Sequence, residues 1–115
     1  MGAVKVKEIN LERGKPTVDL AMRKFVDELT TAKRLGFRAL IVVHGYGSSG
    51  VGGAIKAALK VKLKEGSLRG VVRAFVSGED WINCKSGFIE VCPQLKDFNN
   101  YVEGNRGLTV ILLKS

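Results

Sequence analysis

The sequence predicts an α/β fold in the order β-α-β-α-β-β, with two main helices and an inserted segment near 77–103, from three observations. Val18, Met22, Phe25, Leu29 and Ala32 recur at steps of three and four, the spacing of one apolar helical face. Two short apolar runs, residues 38–43 and 108–113, are rich in β-branched side chains and read as buried strands. Between the first run and the helix-forming stretch 54–60 lies His44-Gly45-Tyr46-Gly47-Ser48-Ser49-Gly50-Val51-Gly52-Gly53. That turn holds five of the 14 glycines and the only histidine.

Taken in order, Val4, Val6, Ile9 and Leu11 alternate imperfectly, and the first strand is expected near 7–11. Residues 12–16 read as a loop, with Pro16 suited to the first turn of a helix. The amphipathic helix then covers 17–35 and stops at Gly36, placed as a C′ residue. The second helix is expected over 51–65, with Val51, Ile55, Ala58, Leu59 and Leu63 on its apolar side. A third strand is expected at 71–76 and the last at 108–113. Of the segment between them, residues 80–83 read as a loop anchored by Trp81, and 93–102 as a short helix begun by Pro93.

At 115 residues, with 45% hydrophobic and 26% charged side chains, the chain is expected to form one domain with a single core. No apolar run approaches the ~20 residues that span a bilayer, and residues 1–8 lack the apolar stretch of a signal peptide. A cytoplasmic location without membrane partners is the expectation. Cys84 and Cys92 fit neither a zinc spacing nor a disulfide framework, and read as reduced thiols. The net charge of +8 is unevenly placed. Residues 1–76 hold 15 basic and six acidic residues, whereas 77–115 hold four and five. The basic part contains the glycine turn, and its balance favours a polyanion such as nucleic acid. The alternative is that excess lysine only keeps the domain soluble.

Consecutive β-α-β units give parallel strands, so the loops after the first two strands should meet at one sheet edge. This brings Glu12, Arg13 and Gly14 near His44, Gly45, Tyr46 and Gly47. Glycine permits φ > 0 and close approach of a ligand, and a following helix N-terminus favours an anion. Gly45-x-Gly47-x-x-Gly50 matches a dinucleotide-binding pattern but follows the second strand, and Glu65 falls on a helix end where it reaches no ribose. Gly47-x-x-x-x-Gly52 begins like a P-loop, yet Gly53 stands where the lysine belongs. No metal ligands are assigned. The alternative to a nucleic-acid partner is a small molecule or nucleotide phosphate bound by the same turn.

The arrangement resembles the small MutS-related (Smr) domain family. The resemblance starts at Ile9-Asn10-Leu11-Glu12-Arg13-Gly14, where the family has Leu-Asp-x-His-Gly. It is strongest at Leu40-Ile41-Val42-Val43-His44-Gly45-Tyr46-Gly47, similar to the family's strand and His-Gly-x-Gly, and it closes at the glycine-containing turn and strand of 104–113. It implies a two-layer α/β sandwich with a mixed four-stranded sheet, like the C-terminal domain of the third bacterial translation initiation factor. It also implies DNA or RNA binding, in several members with nicking or endonuclease activity. No cofactor is assigned, and Mg²⁺ or Mn²⁺ enters only if the domain is a nuclease. Asn10 and Glu12 replace the family's Asp and His, and 77–103 is longer than the usual link.

Each candidate residue has two readings. His44 is either a catalytic donor or general acid/base at a phosphate, or a fixed donor that holds its turn. Glu12 is either a base or metal ligand in place of the missing histidine, or a salt-bridge partner of Arg13 or His44. Arg13, Gly45, Tyr46, Gly47, Ser48 and Ser49 are the expected phosphate contacts, with Tyr46 stacking on a base or packing over the first helix. Lys56 and Lys60 extend that contact along the second helix or form its solvated face.

Overall fold

The structure is a computed structural model, and it describes residues 4–14, 16–46 and 52–114. Its strands are β1 (Val6–Asn10), β2 (Ala39–Val43), β3 (Val72–Ser77) and β4 (Leu108–Leu113), joined in one sheet in the order β1-β2-β4-β3. β1 and β2 pair in parallel, and β4 runs antiparallel between β2 and β3. The sheet is mixed, and the expected α/β sandwich is formed by α1 (Val18–Arg34) and α2 (Gly52–Lys64) packed on one face.

Local chemistry sets the limits of α1. Thr17 accepts a hydrogen bond from the Leu20 N–H at 3.2 Å, Asp19 lies in the first turn, and Lys33 and Arg34 lie in the last. Gly36 follows with φ +88, as its sequence position required. Pro16 stands just ahead of the cap and outside the helix. Along β2 the period of two sends Leu40 and Val42 toward α1 and α2, and Ala39 and Ile41 to the other face. β4 is split likewise, and all six of its residues are buried.

The burial of both faces is explained by the inserted segment, which corrects the expected loop at 80–83. A short 3-10 turn, Gly78–Asp80, leads directly into α3 (Trp81–Val91), followed by a second 3-10 run, Pro93–Phe98, and α4 (Asn99–Val102). These elements lie over the face opposite α1 and α2, where Trp81, Phe88, Cys92, Leu95 and Val102 cluster with Val6, Ile41 and Val110. Asn83, Ser86 and Gly87 are poor helix formers, so tertiary burial rather than propensity fixes α3. The two-layer sandwich therefore carries a helical cover on its second face.

Gly78 is the tightest point of that cover. A Cβ there would stand 2.1 Å from the Asn105 carbonyl oxygen and 2.7 Å from that of Val102. Both are backbone atoms, which cannot step aside as a flexible side chain would. Gly78→Ala is expected to cost about 3 kcal/mol, the upper part of the overpacking range. A urea denaturation midpoint within error of the parent protein would show that the backbone relaxes around it.

Candidate functional site

Because β4 alone runs the other way, the C-terminal ends of β1, β2 and β3 meet the N-terminal end of β4 at one end of the sheet. Hydrogen bonds tie the loops there. The Leu11 N–H donates to the Val43 carbonyl at 2.7 Å, and the N–H groups of His44 and Gly45 donate to the Gly107 carbonyl at 2.9 and 3.2 Å. Gly45 has φ +71, and a Cβ on Gly107 would lie 3.3 Å from the Gly45 Cα. The two glycine turns touch backbone to backbone, and side chains would hold them apart.

His44 is completely buried. Its Nδ1 lies 2.6 Å from the Gly45 carbonyl oxygen and its Nε2 lies 2.9 Å from Thr109 Oγ1. A carbonyl only accepts, so Nδ1 carries the proton, and Nε2 accepts from the Thr109 hydroxyl. Burial pushes the imidazole pKa below its ordinary value of 6.5. The charge of Lys56 adds to this, against the opposing effects of the Gly45 carbonyl and Glu79. A neutral ring with one fixed tautomer results, and neither nitrogen faces solvent.

Glu12 and Arg13 are exposed in the loop after β1. Asn10 builds that loop, its Oδ1 accepting from the N–H groups of Glu12 at 3.0 Å and Arg13 at 2.8 Å. This is an Asx turn, a use of the asparagine that its position opposite the family's aspartate did not reveal. Lys24 reaches the same place from α1, donating to the Asn10 carbonyl at 2.8 Å. Among the described residues neither Glu12 nor Arg13 forms an ion pair. Tyr46 is 58% exposed. Gly47, Ser48 and Ser49 lie outside the described residues.

On α2, Lys60 is exposed and Lys56 is half-buried. Lys56 Nζ donates to Glu79 Oε1 at 2.6 Å, so the segment after β3 supplies a counter-charge to one of the two expected phosphate contacts. The bond to Lys56 and its charge hold the Glu79 carboxyl below the usual carboxylate range, with Arg106 and then Lys60 adding smaller attractions. Arg106, Lys24, Glu79 and Thr109 were not singled out from sequence. The available signal was the antiparallel β4, which carries the 104–107 turn to the site.

Among the described residues, no three His, Cys, Asp or Glu side chains come together as a metal-binding group. No step below runs through a metal. Among the same residues, no helix is long and apolar enough to cross a membrane.

A mixed sheet backed by two crossover helices, with its loops gathered beyond the parallel strand ends, defines an α/β sandwich. A scan against protein-family models and a search of curated proteins return no match. Among solved structures the chain is similar to the Smr domain of Thermus thermophilus MutS2, seen in its crystal structure. The two share 27% sequence identity over 95% of this chain and 99% of that one, with a TM-score of 0.60. This is an Smr-like domain.

Proposed function

We propose that this domain binds nucleic acid, DNA or RNA, by its phosphate backbone and does so in the cytoplasm, cleaving slowly or not at all. One observation supports the reading above the others. Arg13 after β1, Lys24 of α1, Lys56 and Lys60 of α2, and Arg106 before β4 come from four separate segments to one end of the sheet. The exposed ring of Tyr46 stands at the same end, suited to stack on a base. The Gly45 N–H is spent on the Gly107 carbonyl, so in this reading the phosphate contacts fall to Gly47, Ser48 and Ser49, outside the described residues.

The same geometry argues for slow chemistry. Phosphodiester cleavage needs a positioned base for its nucleophile and stabilisation of charge on the phosphoryl oxygens. Arg13 suits the second task. For the first, His44 is buried with both nitrogens engaged, Asn10 is no base, and Glu12 is a solvent-exposed carboxylate. His44 then acts by positioning Gly45 and the loop that follows.

Fluorescence polarisation with labelled DNA and RNA over a salt series tests the binding. Affinity is expected to fall with salt along a logarithmic slope near −0.9 for each phosphate neutralised. Lys60→Gln should flatten that slope by about one unit. Glu79→Gln releases Lys56, and both affinity and slope should rise. A salt-independent affinity would instead fit a small ligand in the turn. Supercoiled plasmid and structured RNA, incubated with Mg²⁺, Mn²⁺ or chelator, test the chemistry. Brisk nicking that Glu12→Gln abolishes would make Glu12 the working base or a metal ligand.

A further inference from the structure

β3 is an edge strand, and a cleft of about 400 Å³ opens along it between α2 and the start of α3. Leu59, Leu63 and Phe75 provide its apolar walls. Asn83 contributes an amide, Ser77 a hydroxyl that donates to Asp80 at 3.3 Å, and Lys56 and Lys60 on the α2 side face Glu79 and Asp80. The Thr109 hydroxyl also lines it and is 7% exposed. That hydroxyl spends its proton on His44 Nε2, so its lone pairs remain to accept from an occupant.

We propose that this cleft receives one nucleobase of a bound strand, a proposal that rests on the nucleic-acid reading above. The volume lies in the range of small-ligand sites, which combine mostly apolar walls with a few placed polar groups. A base is a flat apolar body with a hydrogen-bonding edge. Its faces match Phe75 and the two leucines, and its edge matches Asn83 and Thr109. Glu79 neutralises Lys56 and Asp80 adds a second carboxylate, so the flanking phosphate falls to Lys60, which forms no ion pair among the described residues. Thr109 joins the cleft to the His44 turn, so the base site and the phosphate turn share one hydrogen-bonded pair.

Cys84 makes the proposal testable in the unmodified chain. It lines the cleft and is half-buried, whereas Cys92 is buried elsewhere and serves as the internal control for folding. N-ethylmaleimide labelling, read by mass spectrometry, is run with a single-stranded oligonucleotide and with an abasic strand of equal length. The base-bearing strand should slow Cys84 labelling about tenfold, and the abasic strand should leave it nearly unchanged. A strand carrying 2-aminopurine reports independently, since its emission should change when the base leaves its stack for the cleft. Equal protection by both strands, or no protection and unchanged emission while both are bound, would overturn the base site and leave the phosphate reading standing. Failure of both strands to bind would overturn both readings.

Discussion

Trp81→Ala should lower the unfolding free energy by about 3–5 kcal/mol, the range for truncating a fully buried large aromatic. Trp81 has no exposed surface, meets Phe88 edge-on with ring centroids 5.7 Å apart, and donates its indole N–H to Asn99 Oδ1 at 2.8 Å. It therefore ties α3 to the sheet and to α4 at once. Alanine removes the packing, opens a cavity and leaves Asn99 without that donor. α3 has eleven residues and poor intrinsic propensity, so it does not hold without its anchor. The denaturant slope should fall too, because native protein with a loosened cover already exposes part of the second sheet face. Glu79 and Asn83 lie on the same segment, so the cleft beside β3 should be lost with it. Trp81→Phe keeps much of the apolar contact and should lose less. A loss under about 1 kcal/mol for the alanine variant would mean that the cover contributes little to the fold.

The parts legible in the sequence were those where one local rule governed. α1 showed a clean apolar face and a terminal glycine, both local signals, whereas its start was read at Pro16 and the Thr17 cap was missed. β2 and β4 were readable as apolar runs. Their burial on both faces was harder to infer, because it depends on what covers the sheet. α3 was missed because Asn83, Ser86 and Gly87 speak against a helix, and the burial of Trp81 and Phe88 that outweighs them is nonlocal. At the site, the meeting of the loops at Arg13 and His44 followed from parallel pairing. The partners of His44 did not, since Thr109 is 65 residues away and reaches the ring only because β4 inserts between β2 and β3. The Lys56–Glu79 pair was hidden in the same way, although the acidic balance of 78–103 indicated that a counter-charge could lie near the basic half.

The second large effect concerns His44 itself. His44→Ala is expected to cost about 2–4 kcal/mol, from the lost packing of a buried ring and from the Gly45 carbonyl and Thr109 hydroxyl left without it. The pH dependence gives a separate signature. Burial lowers the folded-state pKa below the ordinary 6.5, so the unfolded chain takes up a proton more readily than the folded one. This contribution is complete above pH 6.5. It is lost as pH falls from 6.5 toward the folded value, with a slope of at most about 1.4 kcal/mol per pH unit, and it levels off below that value. Glu79, whose pKa is lowered from 4.5, weakens the fold only in a more acidic window. Urea denaturation between pH 5 and 8 should therefore show a slope in the parent protein that His44→Gln removes. Thr109→Val should destabilise by about 1–3 kcal/mol, and combined with His44→Ala it should add less than its separate cost, because the pair shares one hydrogen bond. If His44 instead served only the chemistry, its replacement would leave stability and its pH slope unchanged while abolishing nicking. A ring held between Gly45 and Thr109 predicts the opposite, in that the fold and its acid sensitivity change first and binding weakens as the turn loosens.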